Sequence, residues 1–266
     1  MLVGINKNID SYAIMNILST KIGKNDAQKI YGSIASKVDV LIVFPMAFNI
    51  TFSTALIPNI SEARKNSNYF TIKNLSKKSV FMSLVIGIGS TLGLYFFSEN
   101  IFSLLFNNSI DGQKLLKLAS FSIVFSVMIQ TFSGILQGLQ RNKIPVIASV
   151  IGTISKVVLN LFLVKQDMFL ENGIIFSTII SNFFMFSILY YYVKKYLKID
   201  LKKYSFAIFL AGMVMVLCIT ILNNLLRIIG INNKVGFIFS IMIGGIIFIF
   251  QNIWISKNFQ INLFES

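Results

Sequence analysis

Phe44–Asn66 reads FPMAFNITFSTALIPNISEARKN, an apolar run that passes through Pro58 and closes on Glu62, Arg64 and Lys65. Upstream, no charged residue lies between Asp39 and Glu62. At about 1.5 Å of rise per helical residue, that stretch matches the hydrocarbon thickness of a bilayer. The rest of the chain repeats the pattern. Of its 266 residues, 55% are hydrophobic and only 13% charged, with a mean hydropathy of +0.74. A soluble domain carries roughly 25% charged residues, so this chain lacks the polar surface to cover itself in water. Its apolar runs are continuous rather than alternating, which selects helices over barrel strands. The expected fold is an all-α, polytopic membrane helix bundle.

Seven full spans are predicted, at about 38–60, 80–98, 118–137, 145–164, 173–192, 205–226 and 235–254. A partial helix precedes them, because the first 18 residues carry Asn6, Lys7, Asn8 and Asp10 and are too short and polar to cross. They have no basic region ahead of an apolar core and no small-residue cleavage site, so they do not form a signal peptide. The chain divides into 1–37, a partial first helix with an external interfacial segment; 38–192, a lobe of five spans; and 193–266, two peripheral spans with a short tail.

The net charge of +14 sits in short lysine clusters between apolar runs, which is the positive-inside pattern and not a nucleic-acid surface. The loops at 61–79, 138–144 and 193–204 and the tail at 255–266 hold 13 Lys/Arg, against 5 in the loops at 98–117, 165–172 and 227–234. The first set, and with it the C-terminus, is expected on the cytoplasmic side of the cell membrane. Segment 19–37 then falls outside despite Lys21, Lys24, Lys29 and Lys37. The chain has no histidine and a single cysteine, Cys218, within an apolar run. No metal site, cofactor or catalytic residue is predicted, and the chain is not read as an enzyme.

Several spans carry polar stripes at helical spacing. Ser122, Ser126, Gln130, Ser133 and Gln137 share one face of the third span, and Ser149, Thr153, Lys156 and Asn160 one face of the fourth. Gly173, Ser177 and Ser181 line up in the fifth, and Asn49 pairs with Ser53 in the first. Single stripes of this kind are ordinary helix packing, as are the GxxxG pairs Gly89–Gly93 and Gly134–Gly138. Four stripes on neighbouring spans, one with a lysine, are explained together by a shared polar cavity. Lys156, eleven positions after Pro145, costs at least about 2.5–3.5 kcal/mol at mid-depth unless it snorkels, pairs or faces a cavity. No carboxylate is predicted mid-span, so Lys156 is expected to lack an ion-pair partner within the chain. A mid-span Asp or Glu for proton coupling is likewise not expected. Lys156, Asn160, Thr153, Gln130, Ser126 and Asn49 are the cavity candidates.

The stretch TALIPNISEA (Thr54–Ala63) resembles the A-L-x-P-x-I-S-E-A signature of the oligosaccharidyl-lipid and polysaccharide flippases, whose superfamily also holds the multidrug and toxin exporters. LQGLQRNKIPV (Leu136–Val146), IGTISKVVLN (Ile151–Asn160) and NID (Asn8–Asp10) fit the same family. The nearest likeness is to the stage V sporulation protein B-like branch, beside the lipid II flippases. The resemblance implies a fourteen-helix transporter of two six-helix lobes and two further helices. This chain would match its C-terminal half, from the end of helix seven. Pro58, Ser61, Glu62 and Arg64 would belong to the signature at the end of helix eight, with Glu62 and Arg64 orienting the helix end. The last two spans would be the peripheral pair, which in lipid II flippases border a groove for the lipid tail.

The implied function is translocation of a lipid-linked oligosaccharide or peptidoglycan precursor through the bilayer, with Lys156 holding phosphate charge and Asn160, Thr153 and Gln130 offering hydrogen bonds to sugar. Alternating access needs two lobes, so a separate N-terminal-lobe chain or a homodimer is the expected partner. The alternatives are half of a cation-coupled multidrug exporter, and a non-transporting scaffold or truncated remnant.

Overall fold

The computed structural model describes residues 10–12, 14–106, 112–164, 166, 170–259 and 261. Among these, every regular element is helical. Seven helices are long and apolar enough to cross a membrane. Asn8 of the NID stretch and the loop charges Lys165 and Asp167 lie outside the described residues.

After the helical residues 10–12 come a π-helical turn, Ile14–Leu18, and a short helix α1 (Ser19–Ile22). Gly23 then breaks the helix at φ 88°, a left-handed angle that a residue with a Cβ rarely adopts. Beyond it, α2 (Lys24–Ser33) passes through a second π-helical turn, Ile34–Val38, into α3 (Asp39–Lys65). The whole of Lys24–Lys65 is therefore one helix of 42 residues. Residues 24–37 of the segment expected at the interface thus run without a break into the first span. Ala27, Ile34 and Val38 are buried along one side, because helical spacing keeps them on a common stripe while the lysines project outward. They pack with Leu18, Phe102, Leu116 and Ile174 in an apolar cluster of their own.

Pro45 and Pro58 both lie inside α3 without ending it. The helix stops at a tight turn, where Asn68 accepts a hydrogen bond from the Thr71 amide and caps α4 (Tyr69–Phe96). The basic loop expected at 61–79 is thus mostly helix. Two short helices follow, α5 (Ser98–Leu105) and α6 (Gln113–Ala119), and then the spans α7 (Phe121–Gly138), α8 (Lys143–Leu163), α9 (Leu170–Leu197), α10 (Lys202–Ile228) and α11 (Asn233–Asn258).

Helix α7 is the hub, packed against α3, α4 and α9. Helix α8 lies outside α9, while α10 packs on α4 and α11 on α10. The α7–α9 seam is aromatic, with Phe132, Phe186 and Tyr190 stacked at centroid distances of 5.8–6.0 Å. The α3–α7 seam is instead a close backbone approach. A Cβ on Gly134 would stand 2.7 Å from the Ser53 carbonyl oxygen, and one on Gly138 2.7 Å from Ile60 Cβ. The small residues let α7 settle against α3. At its end the Ser61 hydroxyl donates to the Gly138 carbonyl at 3.1 Å, satisfying an acceptor that α7 leaves open. This contact gives the serine of the Thr54–Ala63 signature a structural task.

The outer surface is apolar, as lipid requires. Val146, Val150, Ile154 and Leu161 face outward along α8. Tyr191 and Trp254, near span ends, are 61% and 66% exposed, as in the aromatic belts of membrane helices.

Candidate functional site

The polar residues picked out by spacing form two clusters rather than one. The first lies at the α3–α4–α7 junction around Asn49, which is fully buried. Its amide nitrogen donates at 3.0 Å to the Val127 carbonyl and to Gln130 Oε1. Its Oδ1 accepts from Ser83 Oγ at 2.8 Å. Ser83 also meets the Thr131 hydroxyl at 2.5 Å, and Ser53 bonds both Thr131 and the Asn49 carbonyl. Asn49 thus spends its amide inside the bundle, on three helices at once. Ser83→Ala removes the side-chain donor to Asn49 Oδ1. A stability loss of about 1–3 kcal/mol is expected, measurable as a lower thermal midpoint in detergent.

The second cluster joins the N-terminal segment to α8 and α9. Lys156 is only 3% exposed, and its Nζ lies 2.8 Å from Asp10 Oδ2. The Asn160 amide, one turn further along α8, donates to Asp10 Oδ1 at 3.3 Å. Ser177 of α9 in turn donates to Asn160 Oδ1. The expectation that Lys156 has no carboxylate partner in the chain is overturned, and with it the reading that no acidic group lies at span level. Asp10 is helical and partly buried. Its place early in a short polar segment gave no sign in the sequence that it folds against the middle of a span. Burying the ammonium is tolerable because an opposite charge and a charge-assisted hydrogen bond replace water.

The remaining candidates disperse. Thr153 is half-buried on α8, about one turn before Lys156. Ser126 accepts from Asn182 of α9 at 3.0 Å, so it belongs to the α7–α9 interface. Gln130, on the same stripe, turns to Asn49. In the signature, Pro58 and Glu62 are exposed and Arg64 is half-buried. The carbonyls of Glu62 and Arg64 accept from the Asn66 and Ser67 amides and form the turn. Asp10, Ser83, Thr131 and Asn182 join these clusters from outside the polar stripes. Ser83 and Thr131 could have been found as polar residues on otherwise apolar faces, whereas Asp10 needed the tertiary fold.

A model of the lipid II flippase MurJ family matches residues 24–246. The "Uncharacterized membrane protein YabM" of Bacillus subtilis (strain 168) is 30% identical over 158 residues, 59% of this chain and 29% of that protein. The "Probable lipid II flippase MurJ" of Buchnera aphidicola is 23% identical over 94% of this chain and 51% of that protein. The chain thus spans about half the length, or less, of the curated relatives it matches. A solved lipid II flippase MurJ in an inward closed conformation superposes with a TM-score of 0.71 at 20% identity, over 96% of this chain and 52% of that one. An inward-facing multidrug MATE transporter superposes at 0.55 and 14% identity, over 97% of this chain and 64% of that one. A helical bundle of this topology, with a family model matched along most of its length, places the chain in the lipid II flippase MurJ family.

Proposed function

We propose that this chain is the C-terminal-lobe portion of a flippase that carries a lipid-linked saccharide pyrophosphate across the cytoplasmic membrane, with its C-terminus inside. The observation that carries the reading is the buried Lys156–Asp10 pair, backed by Asn160 and Ser177. An ammonium at this depth is a costly feature that packing does not require. At rest Asp10 neutralises it. A pyrophosphate bears more negative charge than a carboxylate and can take over Lys156, while Asn160 and Thr153, on the same face of α8, offer hydrogen bonds to sugar hydroxyls. The lipid tail stays in the bilayer. Alternating access requires an opposing lobe, contributed by other sequence of the same protein, by a separate chain or by a second copy.

Asp10 also supports a second reading, export of an organic cation, since a carboxylate at span level is what such a substrate needs. One experiment separates the two. Proteoliposomes carrying the protein, with whatever companion lobe it requires, are assayed with a fluorescent polyprenyl-pyrophosphate saccharide and with a lipophilic cation. For the flippase, Lys156→Met abolishes saccharide translocation at normal insertion, Lys156→Arg retains part of it, and no variant moves the cation. Cation transport that survives Lys156→Met and is lost in Asp10→Asn supports the exporter. Unchanged behaviour of all variants would leave a scaffold.

A further inference from the structure

At the end of the molecule opposite the Arg64 turn, a cavity of about 510 Å³ opens between α2, α5 and α6. Lys29, on its wall, and Arg64 stand on one continuous helix. At 1.5 Å per residue they are about 50 Å apart, and a hydrocarbon core takes up only roughly 30 Å of that. The cavity therefore faces water, where a soluble ligand can reach it. Gly112 keeps its floor clear. This residue sits at φ 103°, and a Cβ there would stand 3.2 Å from the Phe102 ring.

The walls carry charge of both signs. Lys29 is paired with Asp26 at 3.2 Å. Lys114 of α6 and Glu99 of α5 face the same space, and neither forms an ion pair with the other or with any described residue. Exposed charges of this kind are common and by themselves mean little. Ser98 is the independent sign of a ligand. It is only 4% exposed and lines the cavity, yet its hydroxyl bonds no described residue. Nor is that hydroxyl sealed inside the protein, as the oxygens of Ser76 and Asn252 are. A buried hydroxyl is costly to leave open, so a group that enters the cavity and bonds it is favoured. Ser98 also begins α5, after a Phe97 that brings no side-chain cap. The open first-turn amides give that end a partial positive charge, which together with Lys114 favours an anionic group beside Ser98. Glu99, next in the chain, requires the opposite, a cationic donor. Bare phosphate meets the first demand and is repelled by the second. A molecule with a carboxylate and an ammonium meets both, and Ile30 and Leu115 leave apolar wall for its side chains.

We propose that this cavity binds a small zwitterion of the amino-acid or short-peptide class, its carboxylate on Ser98 and Lys114 and its ammonium on Glu99. The site does not rest on the Lys156 reading. The full-length protein in detergent is titrated with alanyl-alanine, its N-acetyl form, its C-terminal amide and inorganic phosphate, followed by ligand-observed NMR. Alanyl-alanine should bind best, with the acetyl and amide forms each about fivefold weaker, as loss of one charged contact at a wet site implies. Glu99→Gln should weaken the dipeptide to the level of the acetyl form and leave the acetyl form itself unchanged. Lys114→Gln and Ser98→Ala should weaken the dipeptide and the acetyl form severalfold and leave the amide unchanged. Glu99 and Lys114 are exposed, so their variants should fold as wild type. Lys156→Met should bind the dipeptide as wild type. Failure of wild type to bind the dipeptide, equal binding of all three peptides, tighter binding of phosphate, or indifference to all three cavity variants overturns the proposal.

Discussion

Asp10→Leu is expected to destabilise the folded protein by about 3–5 kcal/mol, because it strands the Lys156 ammonium at 3% exposure with no counter-charge. The thermal midpoint in detergent should fall by roughly 10 °C. Two consequences distinguish this from loss of generic packing. The double variant Asp10→Leu/Lys156→Met should recover most of the stability, since an uncharged pair of similar bulk removes both the attraction and the desolvation cost that opposed it. Asp10→Asn should fall between, because the amide can still accept from Lys156 without cancelling its charge. A double-mutant cycle therefore gives a coupling energy well above the few tenths expected of independent sites. If the two single losses simply add, Lys156 finds its compensation elsewhere and the ion pair contributes nothing. Recovered stability need not mean recovered transport: on the proposed function the double variant folds but has no cation for the pyrophosphate.

The second large effect is expected at Gly134→Val. The new Cβ would meet the Ser53 carbonyl oxygen at 2.7 Å, a backbone atom that cannot step aside as a flexible side-chain end can. Relief requires α3 and α7 to part. Overpacking of this kind costs about 1–3 kcal/mol. The same displacement pulls Asn49 from the Val127 carbonyl and Gln130, each now at 3.0 Å, leaving buried polar groups open at a further cost of about 1–3 kcal/mol. Weak or absent accumulation of folded protein is the expected result, read by fluorescence size-exclusion of a tagged chain. Gly93→Ala is the control. Gly93 belongs to the other GxxxG pair, but a Cβ there meets nothing within 4 Å, so the change should be neutral or raise stability by about 0.5–1 kcal/mol. Similar behaviour of the two variants would show that the α3–α7 approach is not tightly constrained.

The glycine pairs show where sequence reading stops. Gly89–Gly93 and Gly134–Gly138 are the same pattern, and spacing alone assigns both to helix packing. The structure puts Gly89 against the Phe248 ring of α11, leaves Gly93 open, and sets both Gly134 and Gly138 against α3. The pattern says that backbones can approach closely there, and only the neighbour decides whether one does. The polar stripes behave alike. Ser126 and Gln130 sit one turn apart on α7, yet Ser126 turns to α9 and Gln130 to α3, because a helix at the hub of a bundle has different partners at neighbouring angles.

Apolar runs about as long as a bilayer is thick determined the helical membrane fold and the number of spans by themselves, since hydrocarbon leaves a chain few other ways to satisfy its backbone. Thr54–Ala63 with its companion stretches pointed to the family for a related reason: close helix approach and helix-end capping are local demands, written in local residues such as Gly138 and Ser61. The partner of Lys156 was decided by tertiary structure alone. Asp10 is 146 positions away in the chain, and electrostatic attraction depends on distance in space, to which sequence separation is no guide. That contact turns an isolated membrane lysine into one half of a buried ion pair, on which the proposed mechanism depends.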